Sequence, residues 1–507
     1  MSRENLKRKA ASGMIWTAIQ KYSTMVLSFV SGIILARLLT PDDFGCIGML
    51  AIFMSLAEVF IDAGFGSALI QKKNPTQADY STVFYFNLVM SAALYLLLFF
   101  CAPLIANFYR MPILSRILRL QGLVLFIYAF SIIQRNIIRK NLRFRKLSTI
   151  TIITSIISLV VTVFMAYMGY GVWSLVAQNF IVALIPCIFF WVTTDWRPTW
   201  EYSWISFKEL FGFGSFMFFT HLFTTFSQRI TGLLVGRWYD PATMGYYTKA
   251  SDLQKSVSNS VSGVMVQTTY PLYASIQDDM VRLANMVKRI TSTLAFITVP
   301  LLSLLIVIAK PLIIFLYSDK WLSSVPYFQV LCLAGMATCL FAVNNQTIAA
   351  IGKSKVTFNW TMVKQVINIV LQLVGIVFWG IWGLLVGKVL SAWISYFINI
   401  SLVTKYVGYK THQQVRDLLP IFIVSLIAVV VAYCGGMLFR CGMYITAFIQ
   451  VLLFGAVYLA WSLFFKPESY TYSLSILHEF KSRISRDSNT VQKNNDSINT
   501  INDNNSF

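Results

Sequence analysis

Residues 32–45 read GIILARLLTPDDFG, and residues 232–245 read GLLVGRWYDPATMG. The two stretches align at a single offset, with identical residues at Gly32/Gly232, Arg37/Arg237, Pro41/Pro241 and Gly45/Gly245. Each stretch has the pattern of an apolar helix end, an interfacial basic residue, a short proline turn and the start of the next helix. Because membrane carriers are commonly built from internal repeats, this pattern predicts a duplicated, two-lobed carrier.

A second pair of short motifs supports the repeat. Residues 171–175 read GVWSL and residues 380–384 read GIWGL, and each opens the sixth apolar segment of its half. Since six helices per repeat is an even number, both halves insert with the same orientation, as a parallel pseudo-two-fold repeat. We therefore expect an N-lobe over 1–200, a C-lobe over 201–405, an added helix pair over 406–465 and a disordered cytoplasmic tail over 466–507.

The composition is that of an integral membrane protein. Of 507 residues, 57% are hydrophobic and only 12% are charged, against about 25% charged residues in an average soluble protein. A spanning helix needs roughly 20 mostly apolar residues. About fourteen such runs predict an all-α, multi-pass fold, at 14–37, 44–70, 81–106, 117–137, 147–168, 171–193, 211–236, 244–270, 289–317, 325–350, 356–378, 381–404, 418–438 and 443–465.

The net charge of +21 is accounted for by topology. If both termini are cytoplasmic, the inner segments outside the tail carry 22 Lys and Arg residues and the outer loops carry seven. This asymmetry follows the positive-inside rule, so a nucleic-acid partner is not needed to explain the charge. The densest inner cluster is interpreted as a topology anchor, with anionic lipid headgroups as the alternative ligand. It comprises Arg135, Arg139, Lys140, Arg143, Arg145 and Lys146.

Catalytic and metal sites are not expected. The seven cysteines are scattered without zinc-site spacing, and there are only three histidines. Residues 352–354 read GKS but lack the earlier glycine of a phosphate-binding loop. All predicted loops are short, which argues against an extramembrane catalytic domain. We expect a transporter with no catalytic residues, no metal and no cofactor other than a coupling ion.

Several motifs carry a family resemblance. The segment from Ile34 to Gly45, ALIQKK at 68–73, RKNLRFR at 139–145 and GYGVW at 169–173 resemble the polysaccharide exporters of the multidrug/oligosaccharidyl-lipid/polysaccharide (MOP) superfamily. The similarity is greatest to the colanic-acid-exporter-like branch of the Wzx-type flippases. It implies twelve core helices in two lobes plus two more. The implied cargo is an undecaprenyl-diphosphate-linked oligosaccharide, moved from the inner to the outer leaflet of a bacterial cell membrane.

Ionisable residues inside the predicted spans are the candidate site. Such residues are costly in a bilayer and are commonly functional. Fixed cations would replace the hydration of a diphosphate with charge-assisted hydrogen bonds. The predicted substrate-binding residues, in a cationic cleft, are Lys21, Arg229, Lys249, Lys255, Lys364 and Lys388. Neutral polar residues are candidates for contacts with sugar hydroxyls, at Gln20, Asn87, Gln178, Asn179, Gln228, Asn259, Asn344, Asn345 and Gln365.

Three acidic residues share these spans. Glu58 and Asp62 are four residues apart and therefore lie on one helix face, and Asp252 lies between Lys249 and Lys255. Two interpretations stay open for Glu58, Asp62 and Asp252. They bind a coupling ion, H⁺ or Na⁺, or they pair with basic neighbours.

The predicted function is polysaccharide transport, as a flippase working by alternating access in the biosynthesis of capsule, exopolysaccharide or O-antigen. The expected partners are the lipid-linked oligosaccharide, membrane lipids, and the polysaccharide polymerase and export machinery. One alternative is a carrier of the same fold with another cargo, a peptidoglycan lipid precursor or a drug. A membrane glycosyltransferase or polymerase is the other alternative, and the short loops speak against it.

Overall fold

A computed structural model describes residues 3–438 and 442–472, and these residues contain helices and no strands. Sixteen α-helices follow one another in the described chain, with a 3₁₀ turn at Asp319–Trp321. The helices are α1 (Arg3–Leu38), α2 (Pro41–Asp62), α3 (Phe65–Gln71), α4 (Gln77–Phe108), α5 (Ile113–Gln121), α6 (Val124–Lys140), α7 (Phe144–Tyr167), α8 (Val172–Thr193), α9 (Trp204–Trp238), α10 (Pro241–Ser275), α11 (Met280–Val307), α12 (Ala309–Tyr317), α13 (Ser324–Ala350), α14 (Ser354–Val407), α15 (Thr411–Leu438) and α16 (Met443–Phe465).

The predicted all-α membrane fold is confirmed, and the count of fourteen spans is approximate. Eleven stretches of the described chain are long and apolar enough to cross a membrane. One of them, Lys355–Val407, has 53 residues and is interrupted by non-helical backbone at Trp379 and Gly380, so it contains two of the predicted spans. The helices α9 and α10 have 35 residues each, but they are not among the eleven candidate spans because their composition is too polar.

Two of the turns predicted from the sequence have a clear local cause. Thr40 caps α2 by accepting a hydrogen bond from the Asp43 amide, and the Asp43 carboxylate accepts one from the Thr40 amide. Pro41 follows at the first helical position, where its missing N–H costs nothing. Thr76 and Asp79 form the same reciprocal capping box at the start of α4.

Contacts between Cα atoms divide the chain into two compact units. Unit 1 contains the described residues up to Val257, together with Ala309–Ala334 and Lys355–Ile394. Unit 2 contains Ser258–Ile308, Gly335–Ser354 and the described residues from Ser395 onward. The lobe boundaries at 200 and 405 stay a prediction. Of the predicted tail, residues 468–472 are helical and residues 473–507 lie outside the described part of the chain.

In unit 1 the two copies of the repeated motif pack on each other. A Cβ atom on Gly45 would lie 1.9 Å from the carbonyl oxygen of Pro241, and a Cβ atom on Gly245 would lie 2.0 Å from that of Pro41. No real Cβ tolerates such distances, so each repeat needs glycine where the backbone of the other repeat approaches. The aligned residues of the repeat are therefore the residues that meet.

Hydrogen bonds join the end of α1 to α12 and to the 3₁₀ turn that follows it. Lys320 Nζ donates to the carbonyl oxygens of Arg37 (2.6 Å) and Leu39 (2.7 Å), and Arg37 Nε donates to that of Leu316 (3.1 Å). Trp321 Nε1 donates to the Ala36 carbonyl at 2.7 Å. Each helix C-terminus thus has its unpaired carbonyls satisfied by a cation from the other segment.

Unit 2 contains α11, α15 and α16, which share a small apolar core. The buried side chains of Ala428, Phe454 and Tyr458 form part of it, and the Tyr458 hydroxyl donates to the Phe296 carbonyl at 2.9 Å. At one end of unit 2, Lys288 lies 3.6 Å from Asp417 and 3.5 Å from Glu468. The Tyr409 hydroxyl donates to Asp417 at 2.7 Å, and burial together with this carboxylate raises the pKa of Tyr409.

The contact between the repeats predicts the effect of a single methyl group. Gly45→Ala and Gly245→Ala should each push α2 and α10 apart, at a cost of about 1–3 kcal/mol to the packed state. Cys46, whose side chain is only 5% exposed, should then react with a water-soluble maleimide roughly tenfold faster in a variant that retains this cysteine alone.

Gly212→Ala is the matched control, because Gly212 lies in a helix and an added Cβ would meet nothing within 4 Å. If Cys46 is instead labelled at the same rate in the three glycine variants and in the parent protein, the Gly45–Pro241 and Gly245–Pro41 contacts do not hold α2 and α10 together.

Candidate functional site

Two adjoining cavities lie among the helices of unit 1. The larger has a volume of about 630 Å³, and its lining includes three arginines, Arg135, Arg139 and Arg229. We call it the arginine cavity. The smaller has a volume of about 320 Å³, and its lining includes Glu58 and Asp62. We call it the carboxylate cavity. Four residues line both: Ser55, Glu58, Tyr128 and Arg229.

The arginine cavity is electropositive. Arg135 and Arg139 lie four residues apart near the C-terminal end of α6, so their side chains share one face of that helix. Arg229 is contributed by α9. Glu58 is the one carboxylate in the lining, which leaves a formal charge of +2. Ion pairs within 4.0 Å among the described residues involve Lys72 and Lys288, so these arginines are not neutralised by such a pair.

Amide side chains also line the arginine cavity. They come from three different helices, with Gln20 on α1, Gln121 at the end of α5 and Asn179 on α8. Gln121 is 5% exposed, and its Oε1 atom has no hydrogen-bond donor among the described residues. A buried acceptor left in this state costs about 1–3 kcal/mol.

The carboxylate cavity confirms that Glu58 and Asp62 share a helix face. His221, Gln228 and Arg229 from α9 line the same cavity. No described Lys or Arg lies within 4.0 Å of either carboxylate. The cavity therefore holds two acids and one shared cation in a polar setting, and the choice between ion coupling and charge pairing stays a prediction.

Of the six predicted basic residues, Arg229 is the one that lines these cavities. Lys249 lies elsewhere in unit 1, with 5% of the residue exposed. Its Nζ atom is 3.7 Å from the centre of the Phe44 ring, 5.7 Å from that of Tyr317, and 3.3 Å from the Gly32 carbonyl oxygen. The aromatic rings provide cation–π stabilisation next to the contact between the two repeats.

Lys388 lies in a second polar region of unit 1. Its Nζ atom donates a hydrogen bond to the hydroxyl of Tyr247 on α10. Nearby on α14, Ser391 Oγ donates to Asn368 Oδ1 at 2.7 Å, and Asn368 is in turn bonded to Gln372. This region is rich in neutral hydrogen-bonding groups, and its lysine has a hydroxyl partner rather than a carboxylate.

The remaining predicted residues do not line either cavity. Lys255 and Asp252 are solvent-accessible on α10, where Asp252 is within electrostatic range of Lys249 and Arg229, and Lys255 is within range of Arg229 and Lys388. Lys21 is half-buried on α1, and Lys364 is buried on α14. Arg229, Lys255 and Lys388 thus lie near one another without all lining one of these two cavities. The role predicted for Lys21, Lys249, Lys255, Lys364 and Lys388 stays a prediction.

Sequence reasoning missed Arg135, Arg139 and Gln121 as site residues. The sequence pattern assigns both arginines to an inner-loop cluster. In the structure α6 continues to Lys140, and both arginines line the arginine cavity from this helix. Their spacing of four residues at the end of an apolar run was the available signal. Gln121 had no signal of its own, since a single amide near a helix end is common.

Two curated relatives are similar over most of their length. The teichuronic acid biosynthesis protein TuaB of Bacillus subtilis is 24% identical over 358 residues, which cover 70% of this chain and 74% of the relative. The lipopolysaccharide biosynthesis protein WzxC of Escherichia coli is 21% identical over 442 residues, which cover 86% of this chain and 89% of the relative.

Among solved structures, the lipid II flippase MurJ in an inward closed conformation has the same fold. It superposes with a TM-score of 0.71 at 18% identity, covering 89% of this chain and 99% of its own. This likeness confirms the fold implied by the resemblance. The family model described as polysaccharide biosynthesis protein matches residues 34–326, more than half of the sequence. The chain therefore belongs to this family of polysaccharide biosynthesis proteins.

Proposed function

We propose that the protein is a flippase that moves an undecaprenyl-diphosphate-linked oligosaccharide from the inner to the outer leaflet of a bacterial cell membrane. The observation that carries the proposal is the arginine cavity, a net positive space among membrane helices. The family and the named functions of the relatives support a polysaccharide precursor as the cargo. The fold shared with a lipid II flippase agrees with it.

The chemistry of the cavity suits a diphosphate. A diphosphate loses its hydration when it enters the membrane, and guanidinium groups replace that hydration with paired, charge-assisted hydrogen bonds. Arg135 and Arg139 present two such groups on one helix face, and Arg229 adds a third from another helix. The lipid tail stays in the bilayer, where it needs no polar partner.

Alternating access requires an end that closes and reopens. The positive-inside distribution assigns the turn after α1 and the turn after α9 to the outer side. In this proposal the Gly45–Pro241 and Gly245–Pro41 contacts close the outer end, and the C-terminal end of α6 opens to the inner side. Both termini are then cytoplasmic, and Lys249 is part of the outer closure.

Glu58 and Asp62 are proposed to bind the coupling ion, H⁺ or Na⁺. They lie beside Arg229, which lines both cavities, so a change in their charge alters the field acting on the cargo. A peptidoglycan precursor carries the same diphosphate and is the second candidate cargo. A cationic drug fits the net positive cavity less well.

The first test is Arg135→Gln combined with Arg139→Gln. Because both guanidinium groups line the arginine cavity, the double variant should lower polysaccharide export at least tenfold. Cell-surface polysaccharide would be measured in a strain that carries the variant as its sole copy, with the membrane level of the protein checked by immunoblot.

Arg143→Gln combined with Arg145→Gln is the matched control. These two arginines belong to the same basic cluster but do not line the cavity. An equal loss of export in both double variants would favour the topology-anchor interpretation of the whole cluster, and unchanged export in the first would contradict the proposed diphosphate site.

Glu58→Gln and Asp62→Asn test ion coupling. If these carboxylates bind the coupling ion, each variant should reach the normal membrane level but lose the stimulation of transport by an imposed H⁺ or Na⁺ gradient. The measurement is flipping in proteoliposomes with and without the gradient. Retained stimulation together with a lowered thermal stability would instead support simple charge pairing.

A further inference from the structure

We propose that the connection between α8 and α9, together with the first two residues of α9, is a binding surface for phospholipid at the membrane–water interface. We call residues 194–205 the aromatic segment. Its outward side chains lie at the boundary between phospholipid headgroups and acyl chains. This inference goes beyond the proposed function, because it does not depend on which cargo the protein carries.

The outward side of the aromatic segment is apolar and uncovered. Trp200 is 96% exposed, Trp204 57% and Ile205 80%. Large apolar side chains that are exposed together commonly mark an interaction surface. Trp and Tyr are enriched where membrane helices meet water, because the ring is apolar and its N–H or O–H group stays among the headgroups. The composition of this surface therefore fits a phospholipid interface.

The aromatic segment continues the lipid-facing surface of two helices that are long and apolar enough to span the membrane, α4 and α8. The Trp200 ring stacks on that of Tyr85 in α4, with the ring centres 5.6 Å apart and the ring planes at 20°. One turn further along α4, Val89 begins a row of exposed apolar side chains that includes Phe100. Val192, in the last turn of α8, is also exposed. The bilayer that covers these helix faces therefore reaches the aromatic segment as well.

Hydrogen bonds hold the aromatic segment in this orientation. Arg197 donates from Nη1 to the Thr194 carbonyl oxygen (2.7 Å) and from Nη2 to that of Trp191 (2.9 Å), which satisfies carbonyls at the C-terminal end of α8. The Ser203 amide donates to Thr82 Oγ1 on α4 at 2.9 Å. The segment is thus fastened to both helices and presents its outward side chains in a defined direction.

The aromatic residues around this connection divide between two sides. Trp196 and Phe207 pack against the buried cluster that contains Phe65 and Phe84. These inward rings anchor the segment to the protein. The exposed ring of Trp200 lies outside that cluster, so packing of the core does not account for it.

The charge of this region indicates which kind of phospholipid suffices. Residues 194–209 carry more acidic than basic side chains, with Asp195, Glu201 and Glu209 against Arg197 and Lys208. A polybasic attraction to anionic headgroups is therefore not the basis of the contact. Insertion of aromatic rings needs no anionic lipid, so a zwitterionic phospholipid is enough.

The experiment measures what surrounds positions 200 and 204 in the full-length protein, reconstituted in phosphatidylcholine nanodiscs. Trp200→Cys and Trp204→Cys would each be spin-labelled in a background whose native cysteines are replaced by serine. Electron paramagnetic resonance then compares the accessibility of the label to oxygen, which concentrates in lipid, with its accessibility to a water-soluble nickel chelate.

Asp195→Cys is the matched control, because Asp195 is an exposed carboxylate of the same segment. The ratio of oxygen to nickel accessibility should be about threefold or more higher at positions 200 and 204 than at position 195, since the rings enter the lipid and the carboxylate stays in water.

Two outcomes would overturn the proposal. Equal ratios at all three positions would show that the aromatic side chains face water. Labels shielded from both reagents, in a protein that runs as a dimer, would show that a second copy of the chain covers them.

A second measurement applies if the cysteine-free protein does not fold. The chain with its native cysteines would carry Trp200→Phe and Trp204→Phe, and its tryptophan fluorescence would be quenched with brominated phosphatidylcholine. Removing two indoles at the lipid boundary should lower the quenched fraction relative to the wild type. An unchanged or increased quenched fraction would place these two rings away from lipid.

Discussion

A guanidinium group among membrane helices is stable only where water, an anion or a carboxylate solvates it, and the site depends on this constraint. An unsolvated charge in hydrocarbon costs several kcal/mol. Three arginines line one cavity together with Glu58, and Asp62 in the adjoining cavity is within electrostatic range of Arg135 and Arg139. The two carboxylates offset part of the positive charge, so water or an anion has to solvate the rest. Most of the helices around this polar space are long and apolar enough to cross a membrane.

The internal repeat supplies the second requirement of a carrier. Gly45 and Gly245 occupy the same position of the two copies, and each accepts the backbone of the proline that begins the other copy's helix. A contact between equivalent positions is self-complementary, so one short motif provides both halves of it. The same motif contains Arg37, which bonds the end of α12 and further fixes this part of unit 1.

The sequence allowed the helices, the repeat and the family to be predicted because each depends on a local pattern. Apolar runs mark spans, and Pro41 and Thr40 mark the start of α2. The site was harder to predict, because the charges along one helix do not show which residues of other helices lie opposite them. Lys249 has the spacing of a cleft residue, yet it packs against Phe44, which is distant in sequence. Arg139 has the context of a loop cluster, yet α6 continues to Lys140, beyond the apolar run that ends at residue 137.

The same limit applies to Gln121. Its position beside a cavity comes from the convergence of α1, α5 and α8, which no single-helix pattern contains. Glu58 illustrates the reverse case, since its spacing to Asp62 predicted a shared face and the carboxylate cavity confirms it.

The most direct test of the central claim is an experimental structure of the protein with a glycosylated polyprenyl diphosphate bound. The account predicts density for the two phosphate groups within hydrogen-bonding distance of Arg135 and Arg139, inside the arginine cavity. Phosphate density placed instead beside Lys364 or Lys388, with the arginine cavity filled by water alone, would contradict it.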